Sequence, residues 1–460
     1  MERAMMEHVA VAIVGAGLSG LAAARYLRSE GVDSLAVLEG SPEPGGRAGL
    51  LPPTPGARPD DDAAPGRMFV RHSDRAVLDL AEELGVGAEE AEPAQALDAL
   101  RVDESGETAV STENIPLGTS WWTRLRNEWV LGRLARLTGD LDPAEPWRSA
   151  GAEELDAQTA HTWLRTHSSD DDVLELVEEQ LTFEAGLPAD RISMLWLLAH
   201  VGPVLDDDRE PLRLSPVELL ERLADAVGGV RTGHHVARIE QDAEGARLSG
   251  SWGSLSADRV ILALSPADAQ RVDFAPGLPS SRVRMQRQWP QAEIVRTDIT
   301  YWRPFWRNRG LSGEAVFDGG IPAWTFDDSP ADASFGRLVA HTYTFGDADP
   351  LGADQSVIDA PERHRSVLLA SLEQAFGPLA ADPLAFVRSS AGPDSYNRAY
   401  QSPTPPGFLT EFGPLLRRPA GRIHWAATET AAFPANGTLE GAVTSGVRAA
   451  AEVLKARAAS

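Results

Sequence analysis

Val9-Ala-Val-Ala-Ile-Val14 runs directly into Gly15-Ala-Gly17-Leu-Ser-Gly20, and Leu21-Ala-Ala-Ala-Arg-Tyr-Leu-Arg28 follows at once. The first stretch is continuous, apolar and β-prone, as befits a parallel strand buried on both faces. The third reads as helix. Ser34-Leu-Ala-Val-Leu38 supplies a second strand and ends at Glu39, nineteen positions past Gly20. These pieces make a βαβ unit around a G-x-G-x-x-G turn. Gly15 permits the tight turn, Gly17 lets the main chain approach a pyrophosphate, and Gly20 lets helix and strand pack closely. The helix start, with Leu18 and Ser19 in its first turn, offers unpaired N–H groups and a positive dipole end to phosphate. Glu39 stands where an acid accepts a bond from a ribose hydroxyl. The expected fold class is therefore α/β, with a dinucleotide site at this turn.

Composition narrows the partners. The chain has 460 residues, which suggests about two or three domains. Lys and Arg number 42 against 68 Asp and Glu, so 42 − 68 = −26. Nucleic acid and anionic membrane surfaces both require a basic face, so neither is an expected partner. The absence of cysteine excludes disulfides, thiolate metal sites, Fe–S clusters and thioether-linked cofactors. Lys455 is the single lysine, leaving 42 − 1 = 41 arginines; a lysine Schiff base and a P-loop lysine are excluded with it. The bias itself is what a GC-rich genome produces. No apolar run approaches the roughly 20 residues that span a bilayer. The start, Met1-Glu-Arg-Ala-Met-Met-Glu-His8, lacks the basic region of a signal peptide. The expected location is cytoplasmic.

Further along, residues 51–66 are rich in Pro and Asp and read as a surface loop. Helical patterns follow at Ala76–Leu84, Trp121–Leu137, Val173–Leu181 and Ile192–Val201. The tryptophans of Trp121-Trp-Thr-Arg-Leu-Arg-Asn-Glu-Trp129 read as packing residues of an amphipathic helix. Strands are expected at His235–Glu240, Ala246–Trp252, Arg259–Leu264 and Arg422–Ala427, with a final helix over Leu439–Ala458. Adjacent His234 and His235 on a strand would point to opposite faces, so a shared metal is not expected. No other spacing of His, Asp and Glu suggests one.

After Glu39 the chain continues Gly40-Ser-Pro-Glu-Pro-Gly-Gly46-Arg47, a second glycine pair that a nicotinamide site does not use. Val37-Leu-Glu-Gly followed by Gly45-Gly46-Arg47 resembles the FAD-binding start of the flavin amine oxidase family, which includes the monoamine and polyamine oxidases. Gly421-Arg-Ile-His-Trp-Ala-Ala-Thr-Glu-Thr430 and Gly437-Thr-Leu-Glu-Gly-Ala-Val-Thr-Ser-Gly446 resemble that family's second FAD motif. Weaker likenesses join the two ends: Thr232 to Ile239, where the family receives the adenine on a valine main chain, here Val236; Arg259 to Pro266; Ala185 to Leu198, like a long substrate-domain helix; and Tyr301 to Trp306. The resemblance implies a Rossmann-like FAD domain built from discontinuous segments (1–80, 212–288 and 390–460). It also implies an inserted mixed α+β substrate domain (81–211 and 289–389). Arg47 would neutralise the pyrophosphate, Glu429 would accept bonds from FAD hydroxyls or waters, and the helix start near Leu439 would aim its dipole at the flavin.

Four departures from the family bear on chemistry. Ala399 replaces the cysteine that tethers flavin in monoamine oxidases, so FAD is expected to be non-covalent. Tyr400 matches one wall of the family's aromatic cage, but Thr438 stands at the other wall and has no ring. The family's active-site lysine aligns with Arg296, which stays protonated and supplies charge but no base. Gly66-Arg-Met-Phe69 places Phe69 where amino-acid oxidases carry their carboxylate-binding arginine, and brings Arg67 and Met68 near the flavin ring.

The function this implies is FAD-dependent oxidation of a C–N bond in a small-molecule amine or amide, giving an imine or iminium, with O₂ reoxidising the flavin and H₂O₂ released. The altered cage and Arg296 point toward natural-product biosynthesis, with the iminium trapped by an intramolecular nucleophile. A redox-neutral isomerase or a carotenoid-type desaturase of the same fold is the alternative. A homodimer stays open as the assembly. The sequence stops soon after its last helix, so the membrane tail of some relatives is not expected.

Overall fold

The computed structural model describes residues 7–50, 68–90, 98–102, 108–111, 121–168, 170–171, 174, 177–178, 181, 185–200, 211–290, 293–317, 321–330, 332–344, 354–389 and 403–459. Strand His8–Val14 lies between Leu35–Leu38 and Gly253–Leu262, parallel to both. Val11, Ala12 and Ile13 are fully buried, as a run with no polar face requires. From edge to edge this sheet runs Asp273–Ala275, Arg238–Gln241, Ala246–Gly250, Gly253–Leu262, His8–Val14, Leu35–Leu38 and Val230–Arg231. Ile423–Trp425 also pairs with Gly253–Leu262, in parallel. Helices Leu18–Ser29 and Leu439–Ala458 cross in close contact on one side. A Cβ at Gly446 would come 2.2 Å from the Ser19 carbonyl oxygen, so only glycine allows this approach.

A second sheet runs Ala385–Ser389, Glu293–Tyr301, Gly336–Thr344, Trp324–Asp327, Leu311–Phe317, Asp98–Val102 and Thr108–Ser111. Its residues alternate between two environments. Val295, Ile299, Tyr301, Leu338 and Ala340 form an apolar core with Leu368, Leu372 and Phe376 of helix Pro361–Phe376. By the two-residue period of a strand, Arg296, Asp298, Trp324, Phe326 and His341 share the opposite face. A small sheet of Met68–Val70, Leu212–Leu214 and Ala88–Glu90 meets that face through Phe69, whose ring lies 5.3 Å from that of Phe326. A third core is helical and gathers Leu134, Trp163, Trp196, Met285, Phe408 and Phe412.

Several expectations are corrected. The region from Ala185 to Leu198 is not one helix: Gly186 has φ +73° and Pro188 follows. A new helix, Met194–His200, starts where the Ser193 hydroxyl accepts the Leu195 N–H at 3.2 Å. His234 and His235 precede the strand, which begins at Arg238; the His234 ring leans on Trp252 at 5.1 Å. Trp129 is 55% exposed with Arg133 over its ring, so it is not a core residue. Helix Arg75–Leu84 packs its Val77, Leu80 and Ala81 with Leu21, Leu27 and Val453. Phe408, Leu409 and Phe412 pack in the helical core. The loop at 51–66 lies outside the described residues.

Candidate cofactor and substrate site

The turn after the first strand is built on close backbone approach. A Cβ at Gly20 would meet the Gly15 carbonyl oxygen at 1.9 Å, so helix Leu18–Ser29 sits hard against the turn. Its N-cap is Gly17, and no side chain caps the N–H groups of Leu18, Ser19 and Gly20. Gly17 bridges Gly45, and Gly45 N–H donates to the Ala16 carbonyl at 3.1 Å, which seats the second glycine pair beside the first. Glu39 is buried at the end of its strand. One carboxylate oxygen accepts the Ala16 N–H at 2.7 Å; the other accepts the Ser41 N–H at 2.8 Å, across Gly40. A carboxylate offers about four acceptor sites, so room remains for a hydroxyl.

Arg47, in the short 3₁₀ turn that starts at Gly46, reaches across 382 positions to Glu429. Two of its nitrogens donate to the two carboxylate oxygens at 2.7 and 3.1 Å, the fork-to-fork geometry of a strong pair. The Glu429 side chain is wholly buried, while that of Arg47 is 25% exposed. Burial disfavours the Arg47 charge, but Glu429, with Asp268 adding, holds its pKa above the ordinary value. Asp268 is pushed up by burial, while a hydroxyl bond from Ser265 and the charge of Arg47 pull it down. Sequence reading identified Arg47 and Glu429 but assigned each to the cofactor. The structure joins them to one another.

Thr438 caps the last helix by accepting the Gly441 N–H at 3.1 Å, and Leu439 is the helix's first residue. The Thr438 carbonyl accepts the Thr428 hydroxyl at 2.9 Å, tying the helix start to the segment that carries Glu429. Val236 is buried, and among the described residues its main-chain N–H and C=O have no hydrogen-bond partner. A buried peptide edge left open in this way suits a planar base that presents a donor and an acceptor.

The polar face of the second sheet is buried as well. Arg296 donates from Nε and a terminal nitrogen to the two Asp298 oxygens at 2.9 and 3.0 Å, and both side chains are under a tenth exposed. Arg296 also pairs across the sheet with His341, whose pKa is pulled down to about 3 by burial and then by the Arg296 charge. The His341 imidazole is therefore neutral. Trp324 lies 5.5 Å from it and Phe326 4.9 Å from Trp324, with Phe69 beyond. Met68, on the strand beside Phe69, pairs with Leu214. His200 is likewise held near 3 by burial and then by the Arg71 charge, and stacks on Trp196 at 4.6 Å. Tyr400, Ala399 and Arg67 lie outside the described residues.

Asp298, Trp324, Phe326 and His341 were not read as site residues from sequence. The alternation in Glu293–Tyr301 was the available signal, since it sets Arg296 and Asp298 on one face. Among the described residues, no group of three His, Cys, Asp or Glu could hold a metal. The uncapped helix start, the glycine contacts, buried Glu39 and the open main chain of Val236 fit a dinucleotide with an adenine at one end.

These features define a dinucleotide-binding α/β fold. Residues 18–454 match the family model for flavin-containing amine oxidoreductases. AofH of Mycobacterium tuberculosis, named for the flavin-containing monoamine oxidases, is 34% identical over 97% of this chain and 96% of its own. A wild-type putrescine oxidase bound to putrescine superposes with a TM-score of 0.82 at 26% identity, covering 97% of this chain and 99% of that one. Cyclohexylamine oxidase from Brevibacterium oxydans gives 0.83 at 25%, with coverage of 97% and 99%. The chain belongs to the flavin-containing amine oxidoreductase family. It is an FAD-dependent oxidoreductase acting on C–N bonds. Among the described residues, no helix is long and apolar enough to cross a membrane.

Proposed function

We propose that this protein oxidises the C–N bond of a small-molecule amine or amide with untethered FAD and O₂. The balance is R₂CH–NHR′ + O₂ → R₂C=NR′ + H₂O₂. Bound FAD supplies the two-electron acceptor for this chemistry. The first sheet, with the last helix, forms the body that holds it; the second sheet and the helical core form the substrate body. Leu18, Ser19 and Gly20 offer N–H groups to the pyrophosphate, Glu39 accepts from the ribose, and Val236 receives the adenine. Arg47, paired with Glu429, lends its positive charge to the phosphates.

The observation that carries the reading is the buried face of the second sheet. Arg296 and Asp298 cancel one another's charge, His341 is neutral, and Trp324 and Phe326 exclude water. Such a wall neither repels an ammonium nor donates a base, and it desolvates a nitrogen that must lose its charge before hydride leaves the adjacent carbon. In this reading Tyr400 presents its ring to the substrate nitrogen. Thr438, lacking a ring, leaves the other side open to bulkier substrates, consistent with a role in natural-product biosynthesis and intramolecular trapping of the iminium.

Acid precipitation of the purified holoenzyme tests the untethered cofactor: all flavin should stay in the supernatant, and a yellow pellet would overturn that claim. A peroxide-coupled panel of amines and amides then tests the reaction. Nitrogen retained in the product without ammonia release would support trapping over hydrolysis.

A further inference from the structure

Beneath strand Ile423–Trp425 lies a second buried polar site that the reaction does not use. Arg282, on helix Ser280–Arg287, is 5% exposed, and its guanidinium carbon sits 3.7 Å from the ring centre of Trp425. One terminal nitrogen donates to the Leu415 carbonyl at 2.5 Å, and the two reach the Leu416 carbonyl at 3.4 and 3.5 Å. Among the described residues, no carboxylate forms an ion pair with it. Burial alone therefore draws its pKa down to about 9.

Two donors here are unmet. Arg282 Nε and, one turn on, Gln286 Nε2 are buried with no hydrogen-bond partner. Both residues line one small cavity whose other walls are mostly apolar, among them Leu264, Pro266, Leu416 and Ala427. The Thr430 hydroxyl at its edge already donates to the Ala427 carbonyl and accepts from Arg448. The space open to the centre of a water-sized body is about 10 Å³, the room one water needs; a chloride ion, somewhat larger, requires the Met285 and Gln286 side chains to give slightly, and a sulfate or phosphate is far too large. A buried cation without a counter-charge is strongly unfavourable, and an unmet N–H adds to the cost. A neutral water answers only the second need.

We propose that this cavity binds one monatomic anion, chloride under ordinary conditions, held by Arg282 Nε and Gln286 Nε2. Bound only by the folded chain, chloride stabilises it by mass action. The test uses the FAD-loaded protein, with ³⁵Cl NMR linewidths in sodium chloride and thermal unfolding in sodium chloride against sodium gluconate at equal ionic strength. Gln286→Glu places a carboxylate beside the guanidinium and takes the anion's role. Gln286→Leu removes one donor without adding charge. Wild type should show excess ³⁵Cl broadening that bromide reverses, and a melting temperature that rises with chloride and not with gluconate. Gln286→Glu should lose both responses, and Gln286→Leu should weaken the apparent chloride affinity about tenfold. Equal linewidths and equal salt responses in wild type and both variants would overturn the proposal and leave water as the occupant.

Discussion

Replacing Arg47 by Met isolates the pair that ties the glycine turn to the last FAD motif. The change leaves Glu429, which has no exposed surface, without the two bonds it accepts at 2.7 and 3.1 Å. It also removes a charge that now restrains the Asp268 carboxyl, already pushed up by burial. Breaking a buried pair costs about 3–5 kcal/mol, and the 25% exposure of Arg47 argues for the lower end, about 3 kcal/mol. With an unfolding entropy of about 2.1 cal/mol/K per residue, a 460-residue chain loses about 1 kcal/mol per degree, so the melting temperature should fall by about 3 °C. Glu429→Gln strands only a partly exposed arginine and should cost less, about 1–2 kcal/mol. The double variant should be more stable than the sum of the two losses predicts, because each single change leaves the other partner unmatched. Thermal unfolding of the flavin-free protein measures this apart from cofactor affinity. If Arg47→Met melts within a degree of wild type and the double-variant cycle shows no coupling, the Arg47–Glu429 pair does not hold the two motifs together.

Other consequences follow from the same geometry. His341 is held near pKa 3 in the folded chain against 6.5 for the free side chain, so the unfolded chain binds a proton that the folded one refuses. Stability is full above about pH 6.5 and falls as pH drops toward 3; His341→Gln should flatten that slope by about 1.4 kcal/mol per pH unit, and an unchanged slope would refute the assignment. Gly446→Ala forces a Cβ to within 2.2 Å of the Ser19 carbonyl oxygen and should cost about 1–3 kcal/mol and lower flavin content. Arg296→Met leaves Asp298 buried alone and should cost about 3–5 kcal/mol, most of it recovered by adding Asp298→Asn. If stopped-flow reoxidation of that double variant by O₂ matches wild type, Arg296 is structural only.

The nucleotide turn could be read from sequence because its determinants are local. A strand, three glycines, a helix and an acid lie within some thirty residues, and each has a single mechanical task. Strand ends were less clear where pairing, not hydrophobicity, extends the strand. Gly253–Leu262 begins six residues before the expected Arg259, since its Ser- and Ala-rich first half is held by antiparallel pairing with Ala246–Gly250. Of the proposed substrate wall, sequence reading reached Arg296 and Phe69 but not Asp298, Trp324, Phe326 or His341. Its members come together through sheet register, Arg296 beside His341 and His341 beside Trp324, and register is set by partners distant in the chain. The Arg47–Glu429 pair is of the same kind: both residues carried motifs, but nothing in either motif says that they bond.

The central claim is that this chain oxidises a C–N bond with its flavin as the electron acceptor. Anaerobic mixing of the FAD-loaded protein with a panel of amines and amides, followed by admission of O₂, tests it directly. Flavin absorbance should bleach with at least one compound, then return on aeration with one equivalent of H₂O₂ per flavin. Absorbance that no amine, amide or amino acid bleaches would contradict the account.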